Sequence, residues 1–133
     1  MSRRRDVQLP WSEEAELAVL GALVIDAEAA ARIFDRLTTD DFYSERHRRV
    51  FSAAHKLWKE GQTIDPVTLS EELTRRGDLE RAGGMMFLAE LLDVVPTAAN
   101  VDYHVRIVAD HATRRRLWEA GRATAEEAIR ATD

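Results

Sequence analysis

AELAVLGALVI, residues 15–25, is almost entirely apolar, and only Glu16 and Gly21 fall outside Ala, Val, Leu and Ile. A helix that buries a single face carries polar residues at every third or fourth position, and this stretch does not. It is also too short to cross a bilayer, which takes about 20 apolar residues. We therefore expect a central helix that the rest of the chain covers on most of its circumference.

The composition is that of one domain with a core of its own. The chain has 133 residues, with 19 basic and 24 acidic side chains and a formal net charge of −5. This acidic balance argues against a DNA-binding surface on its own, although a local basic patch is compatible with it. The absence of cysteine excludes disulfides and thiolate metal sites. The basic start, MSRRRD, is not followed by an apolar segment, so we expect no signal peptide, a cytoplasmic location and no membrane contact.

Start and stop signals divide the chain into short helices. Ser12, Asp26, Ser44 and Asp65 each stand where a helix N-cap is expected, and Pro66 suits a first helical position. Glycines at 61 and 77 are typical C-terminal stops. The pattern predicts a first helix through Ile25 and four further short helices, at residues 27–37, 45–60, 66–76 and 85–95.

One long helix is predicted from Val101 to near Ala128. Its first half has an inward apolar stripe, which ends where the same face reaches Arg115 and Arg116. The stripe consists of Val101, Val105, Val108 and Ala112. A second, displaced stripe follows, made of Leu117, Gly121, Ala125 and Ala128 with Trp118 and Ile129 beside it. A helix that changes its apolar face midway is most simply leaving one body and packing on another, either a second chain or a segment outside this sequence.

These patterns predict an all-α fold, a compact bundle of about five short helices plus the long C-terminal helix, with no strand. We expect a disordered arm at residues 1–9 and a globular helical domain at 10–112, with residues 113–133, the outer part of the long helix, as a further helical region. Trp118 fits equally well as core against an absent segment or as an interface anchor, a role in which Trp is enriched. The candidate oligomer interface comprises Arg114, Arg115, Leu117, Trp118, Gly121, Ala125 and Ile129.

No stretch of the sequence resembles an active site. The patterns GxxxxGK[ST], GxGxxG and HExxH do not occur, and no two of the four histidines are four residues apart. We interpret His47 and His104 as surface or half-buried residues. The acidic clusters at 13–16 and 40–41 are explained by helix dipoles rather than by acid–base chemistry. The sequence therefore predicts no catalytic, cofactor-binding or metal-binding residue in this chain.

Two basic runs, Arg46–Arg49 and Arg114–Arg116, could contact nucleic acid. The interpretation that we favour is a solvated helix face, because aromatic side chains that would stack on bases are not interleaved on that face. A small DNA-binding protein stays open as an alternative function.

An ordered set of short motifs resembles the bacterial DnaB-type replicative helicases over roughly residues 9–110. The opening is Pro10-x-Ser12-x-Glu14-Ala15-Glu16, then Val19-Leu20-Gly21 and Asp26. The likeness continues through Asp41-Phe42-Tyr43, His47, Phe51, Gly61, Ile64-Asp65, Thr68-Leu69, Gly77-x-Leu79, Gly83-Gly84, Phe87-Leu88-Ala89-Glu90-Leu91, Pro96-Thr97-Ala98-Ala99-Asn100, Tyr103 and Ile107-Val108. The sequence departs from the family at His104, where an aromatic residue is frequent.

The resemblance implies that this chain is the N-terminal domain of such a helicase plus the start of its helical hairpin. An ATPase motor, which uses ATP and Mg and moves 5′ to 3′ on single-stranded DNA, would follow a linker beyond Asp133. The domain would form a collar on the hexameric ring, built as a trimer of dimers, and would dock the C-terminal domain of primase. The residues after Ala112 would correspond to the hairpin helix that packs between subunits.

The same resemblance implies which partners to expect. They are further copies of this chain, primase and, as a further candidate, a helicase loader, whereas DNA would be bound by the motor. The alternative from another class is a stand-alone helical adaptor that binds another protein through Trp118 and its neighbours.

Overall fold

The structure, a computed structural model, describes residues 7–94 and 98–130. Within these ranges the chain forms six α-helices and two short 3-10 turns, without a strand. The helices are α1 (Glu13–Ile25), α2 (Ala27–Arg36), α3 (Glu45–Lys59), α4 (Pro66–Arg76), α5 (Gly84–Glu90) and α6 (Ala98–Arg130), and the turns are Thr39–Asp41 and Leu91–Asp93. The all-α prediction is therefore confirmed. Most of the predicted arm, residues 1–6, lies outside the described part of the chain.

The predicted helix starts are confirmed by their capping hydrogen bonds. The side chains of Ser12, Asp26, Ser44 and Asp65 each accept a hydrogen bond from a backbone N–H in the first turn of the helix that follows. These bonds satisfy donors that a helix leaves free at its first turn. Gly77 ends α4 with φ +76°, a left-handed conformation that side chains with a Cβ rarely adopt.

The fifth helix is shorter than its apolar pattern predicts. It ends at Glu90 and continues as a 3-10 turn to Asp93, after which the N–H of Val94 donates to the carbonyl of Leu91. Val94 lies so close to Gly21 of α1 that a Cβ on this glycine would approach the Cβ of Val94 to 2.9 Å. Packing of this turn against α1 thus replaces the last helical turn. Residue 95, the predicted end, lies outside the described ranges.

The α1 helix is the centre of the fold, as its composition predicts. It packs against α2, α3, α6 and the second 3-10 turn. Its buried residues are Ala15, Glu16, Ala18, Val19, Leu20, Gly21, Ala22 and Leu23. Leu17 and Val24 are half-buried, and Ile25, at the C-terminal end, has 47% of its surface exposed. Among the described helices, none is long and apolar enough to cross a membrane.

A buried carboxylate connects α1 to the start of α3. Glu16, 1% exposed, accepts hydrogen bonds from the N–H groups of Tyr43 (2.7 Å) and Ser44 (3.4 Å) and from Nδ1 of His47 (2.7 Å). Because a carboxylate offers only acceptors, His47 carries the proton on Nδ1. His47 is itself 3% exposed and stacks on Phe87. Two expectations were wrong. His47 is fully buried rather than at the surface or half-buried, and Glu16 binds donors at the N-terminal end of α3 in addition to lying in the first turn of its own helix.

We predict that Leu20→Ala destabilises the domain by about 2–5 kcal/mol, because Leu20 is 1% exposed and its truncation leaves a cavity in the core. Urea unfolding followed by circular dichroism measures the change in the free energy of unfolding. Ile25→Ala on the same helix is the matched control and should cost less, since Ile25 is partly exposed. Equal effects of the two substitutions would show that α1 is not the centre of the core.

We predict that Glu16→Gln lowers the free energy of unfolding by about 1–3 kcal/mol, because the amide retains one acceptor oxygen and places an NH₂ group against backbone donors. The exposed Glu71 of α4 supplies the control, Glu71→Gln, for which a change within about 0.5 kcal/mol is expected. An unchanged unfolding midpoint for Glu16→Gln would mean that the buried hydrogen bonds contribute no net stability.

Candidate interaction surface

The long helix α6 lies in two different environments. Its first half packs against α1 and α2, and the buried residues there are Val101, Val105, Val108 and Ala112, as predicted. From Thr113 to Arg130 every residue is exposed except Arg115, which is half-buried. At 1.5 Å per residue, this outer half extends about 27 Å beyond the last buried residue. The outer half, residues 113–130, is the candidate surface.

Six apolar residues of the outer half, including all the large ones, share one arc of the helix. At about 100° per residue, this arc is centred roughly 150° away from the buried stripe of the first half. The apolar arc consists of Leu117, Trp118, Gly121, Ala125, Ala128 and Ile129. Leu117 and Ile129 are 72% and 73% exposed, and a Cβ built on Gly121 would meet nothing within 4 Å. The apolar arc therefore faces away from the side on which α6 meets its own domain.

The opposite side of the outer half is a charged, solvated face. Arg122 donates to Glu119 (2.9 Å) and to Glu126 (3.1 Å), and Arg130 pairs with Glu127 at 3.6 Å. The hydrogen bond with Glu119 is the main cause that raises the pKa of Arg122 above its ordinary value. Pairs at these spacings support a helix in water by only a few tenths of a kcal/mol each. The outer half is thus amphipathic, with one face paired within the helix and one face uncovered.

The structure separates Arg115 from the other predicted interface residues. Its guanidinium donates to the carbonyl of Pro10 (2.8 Å) and to the carbonyl of Asp41 (2.8 Å), and it lies 5.3 Å from the ring centre of Tyr43. Burial lowers the pKa of Arg115 below its ordinary value, with the nearby carboxylate of Glu16 opposing the shift. Arg114, in contrast, lies within the apolar arc, so the structure groups it with Leu117, Trp118, Gly121, Ala125 and Ile129.

Most arginines of the two basic runs make contacts inside the domain. Arg46 lies over the ring of Phe87 at 4.9 Å, and Arg48 donates to the carbonyl of Phe42. The ion pairs are Arg49 with Glu45 and Asp78, and Arg116 with Asp41. These contacts favour a structural role for the two runs over nucleic-acid binding, because they occupy donors that phosphates would otherwise take.

The residues that hold the base of the outer half were not identified from the sequence. Asp41, interpreted there as a helix-dipole residue, is 8% exposed and binds Arg116 at 2.5 Å. The sequence did contain one signal for these contacts. The buried stripe of α6 continues onto Arg115 and Arg116, which places both residues on the side of the helix that faces the domain. Among the described residues, no three His, Asp or Glu side chains come together in a way that could hold a metal ion.

The described chain is thus a small helical core from which a long helix extends with an exposed apolar face. The family model for the DnaB-like helicase N-terminal domain matches residues 8–110. The chain therefore belongs to the DnaB-like helicase N-terminal domain family.

Curated relatives agree with this assignment. The replicative DNA helicase DnaB of Rhodothermus marinus is 44% identical over 108 residues, which are 81% of this chain and 12% of that protein. The replicative DNA helicase DnaB of Geobacillus stearothermophilus is 41% identical over 118 residues, which are 89% of this chain and 26% of that protein. The chain thus spans about a quarter or less of the length of these two relatives.

Solved structures share the fold. The N-terminal domain of DnaB helicase from Mycobacterium tuberculosis superposes with a TM-score of 0.87 at 41% identity, covering 92% of this chain and 85% of that one. The N-terminal domain of DnaB helicase from Helicobacter pylori has a TM-score of 0.73 at 19% identity, covering 87% of this chain and 90% of that one. The second likeness shows the fold alone.

Proposed function

We propose that this chain is the N-terminal collar domain of a hexameric replicative DNA helicase, where it supports ring assembly and docks primase during DNA replication. Membership of the DnaB-like N-terminal domain family is the observation that carries this proposal. The uncovered apolar arc of α6 supports the assembly role, because large apolar side chains on a protruding helix favour association with a partner.

The chain itself contributes no catalysis in this proposal. Its curated relatives are replicative DNA helicases of which it spans only a part. ATP-dependent 5′–3′ unwinding, with ATP and Mg, would reside in a motor domain outside this chain, which would also bind the DNA. The whole helicase would work in the cytoplasm.

The partner proposed for the apolar arc is a second copy of this chain. A helix packs on another at an axis separation of about 8–10 Å, and small residues allow the closest approach. Gly121 and Ala125 provide such a place on the arc, flanked by Leu117 and Trp118. A facing helix would bury more of these flanking side chains, since Leu117 is 72% exposed and Trp118 40%, with Arg122 of the same helix 5.1 Å from the centre of the Trp118 ring.

Primase, through its C-terminal domain, is the proposed second partner. The Helicobacter pylori domain, which has the same fold, was described together with its interactions with primase. A helicase loader is a further proposed partner, which rests on the family resemblance alone. The alternative of a stand-alone adaptor is not favoured, because the family match extends through the whole globular part.

We predict that Trp118→Ala weakens self-association by at least about 2 kcal/mol, since a buried tryptophan anchor typically contributes that much to an interface. Sedimentation equilibrium of the two proteins measures the association constants. Trp58→Ala is a matched control, because Trp58 is also 40% exposed but lies on α3 rather than on the apolar arc. Circular dichroism should show the same helical content for all three proteins. Equal association of wild type and Trp118→Ala would exclude Trp118 from the interface.

The proposal as a whole is tested by multi-angle light scattering of the chain alone and mixed with the C-terminal domain of its own primase. We expect a self-associated species, and a heavier complex in the mixture. The Trp118→Ala variant in the same mixture separates primase docking from self-association. A monomer throughout, without a complex at concentrations well above micromolar, would contradict both proposed roles for the chain on its own.

A further inference from the structure

The last contacts between α6 and the globular part are made by Arg115 and Arg116. Both lie within about one helical turn of Ala112, the last buried residue. Arg115 donates to the carbonyls of Pro10 and Asp41 at 2.8 Å each, and Arg116 donates to Oδ1 of Asp41 at 2.5 Å. Between Glu119 and Arg130, side-chain hydrogen bonds and ion pairs join residues of α6 to one another.

The groups that receive these arginines are themselves fixed. The other oxygen of Asp41, Oδ2, accepts from the N–H of Thr38 at 2.8 Å, and the N–H of Asp41 donates to the carbonyl of Thr38. Pro10 precedes Trp11, whose ring packs on Tyr43 at 5.1 Å between centroids. Arg115 lies over that same Tyr43 ring. Two arginines therefore join the base of the outer half to two separate, well-held segments of the domain.

The outer half has little else to keep it in place. An isolated helix of this length is marginal in water, because it gains no tertiary packing. Gly121 weakens it further, since glycine is a poor helix former. A helix in this state frays and bends unless its base is held.

We propose that Arg115 and Arg116 are positioning residues, a latch that fixes the direction in which the outer half of α6 leaves the domain and keeps it helical. They would act on the self-association surface without being part of it. This role for the latch in assembly rests on the proposed function, whereas the latch itself can be measured on single molecules.

Two spin labels report the direction of the helix. The chain contains no cysteine, so Thr74→Cys on α4 and Ala123→Cys on α6 give two unique sites, both exposed and with Ala123 outside the apolar arc. Double electron–electron resonance then measures the label-to-label distance. Dilution of the labelled chain into excess unlabelled chain removes distances between different copies.

The test compares the Arg115→Ala/Arg116→Ala variant with Arg106→Ala in this background. Without the latch, we expect the distance distribution to widen by about twofold, because a helix that is free at its base undergoes collective bending. Amide hydrogen exchange of residues 113–120 should accelerate in the same variant. Arg106→Ala is the control, because Arg106 lies on the first half of α6 outside the candidate interface, is exposed, and makes no hydrogen bond or ion pair with the described residues; it should leave both readouts unchanged.

An unchanged distribution in the double variant would overturn the proposal, and so would equal widening in Arg106→Ala. If the double variant does not fold, Arg116→Gln decides the matter, since Arg116 is 54% exposed and its loss leaves the core intact. We expect this single change to widen the distribution by a smaller amount, and a distribution identical to wild type would refute the latch. Widening without any self-association in the wild type would instead contradict the proposed assembly role alone.

Discussion

The structure depends on satisfying one buried charge, the carboxylate of Glu16 on the central helix. An ion taken out of water without partners costs several kcal/mol, so the chain must bring donors to it. The backbone of residues 43 and 44 and the ring of His47 supply them. This requirement fixes how the start of α3 lies against α1. The aromatic rings of Trp11 and Phe87 then pack against His47 from two other elements.

The same corner of the molecule also holds the base of the protruding helix. Arg115 lies over Tyr43, whose N–H donates to Glu16, and the carboxylate of Glu16 attracts the Arg115 guanidinium. Tyr43 thus contacts the buried Glu16 through its backbone N–H and the half-buried Arg115 through its ring. The contacts of Glu16, which organise the core, and those of Arg115, which position the proposed interaction surface, therefore share Tyr43. Through this shared residue, the direction of α6 would depend on the packing of the whole domain.

The two halves of α6 meet different requirements, since the first half stabilises the domain and the outer half is exposed for the proposed assembly. Its first half is stabilised by packing on α1, as most helices in proteins are. Its outer half keeps an apolar arc exposed, which costs solubility unless a partner covers it. The charged pairs on the other face keep that side in water. Such a division suits a domain that a partner completes, as the assembly role proposed for this chain would require.

The sequence by itself determined most of the features that depend on local pattern, although not the end of α5. The caps at Ser12, Asp26, Ser44 and Asp65, the uniformly apolar α1 and the change of face along α6 are all visible in it, because caps and helical periodicity act over a few residues. Only the tertiary structure decided the contacts between distant residues. Glu16 meets His47 31 positions later, and Arg115 meets Pro10 105 positions earlier. The sequence does not distinguish a solvated Arg or Glu from a buried one, since the environment of the side chain is set by which helices pack against it. For that reason Arg115 was predicted at the interface, whereas in the structure it donates to the carbonyls of Pro10 and Asp41 at the base of the outer half.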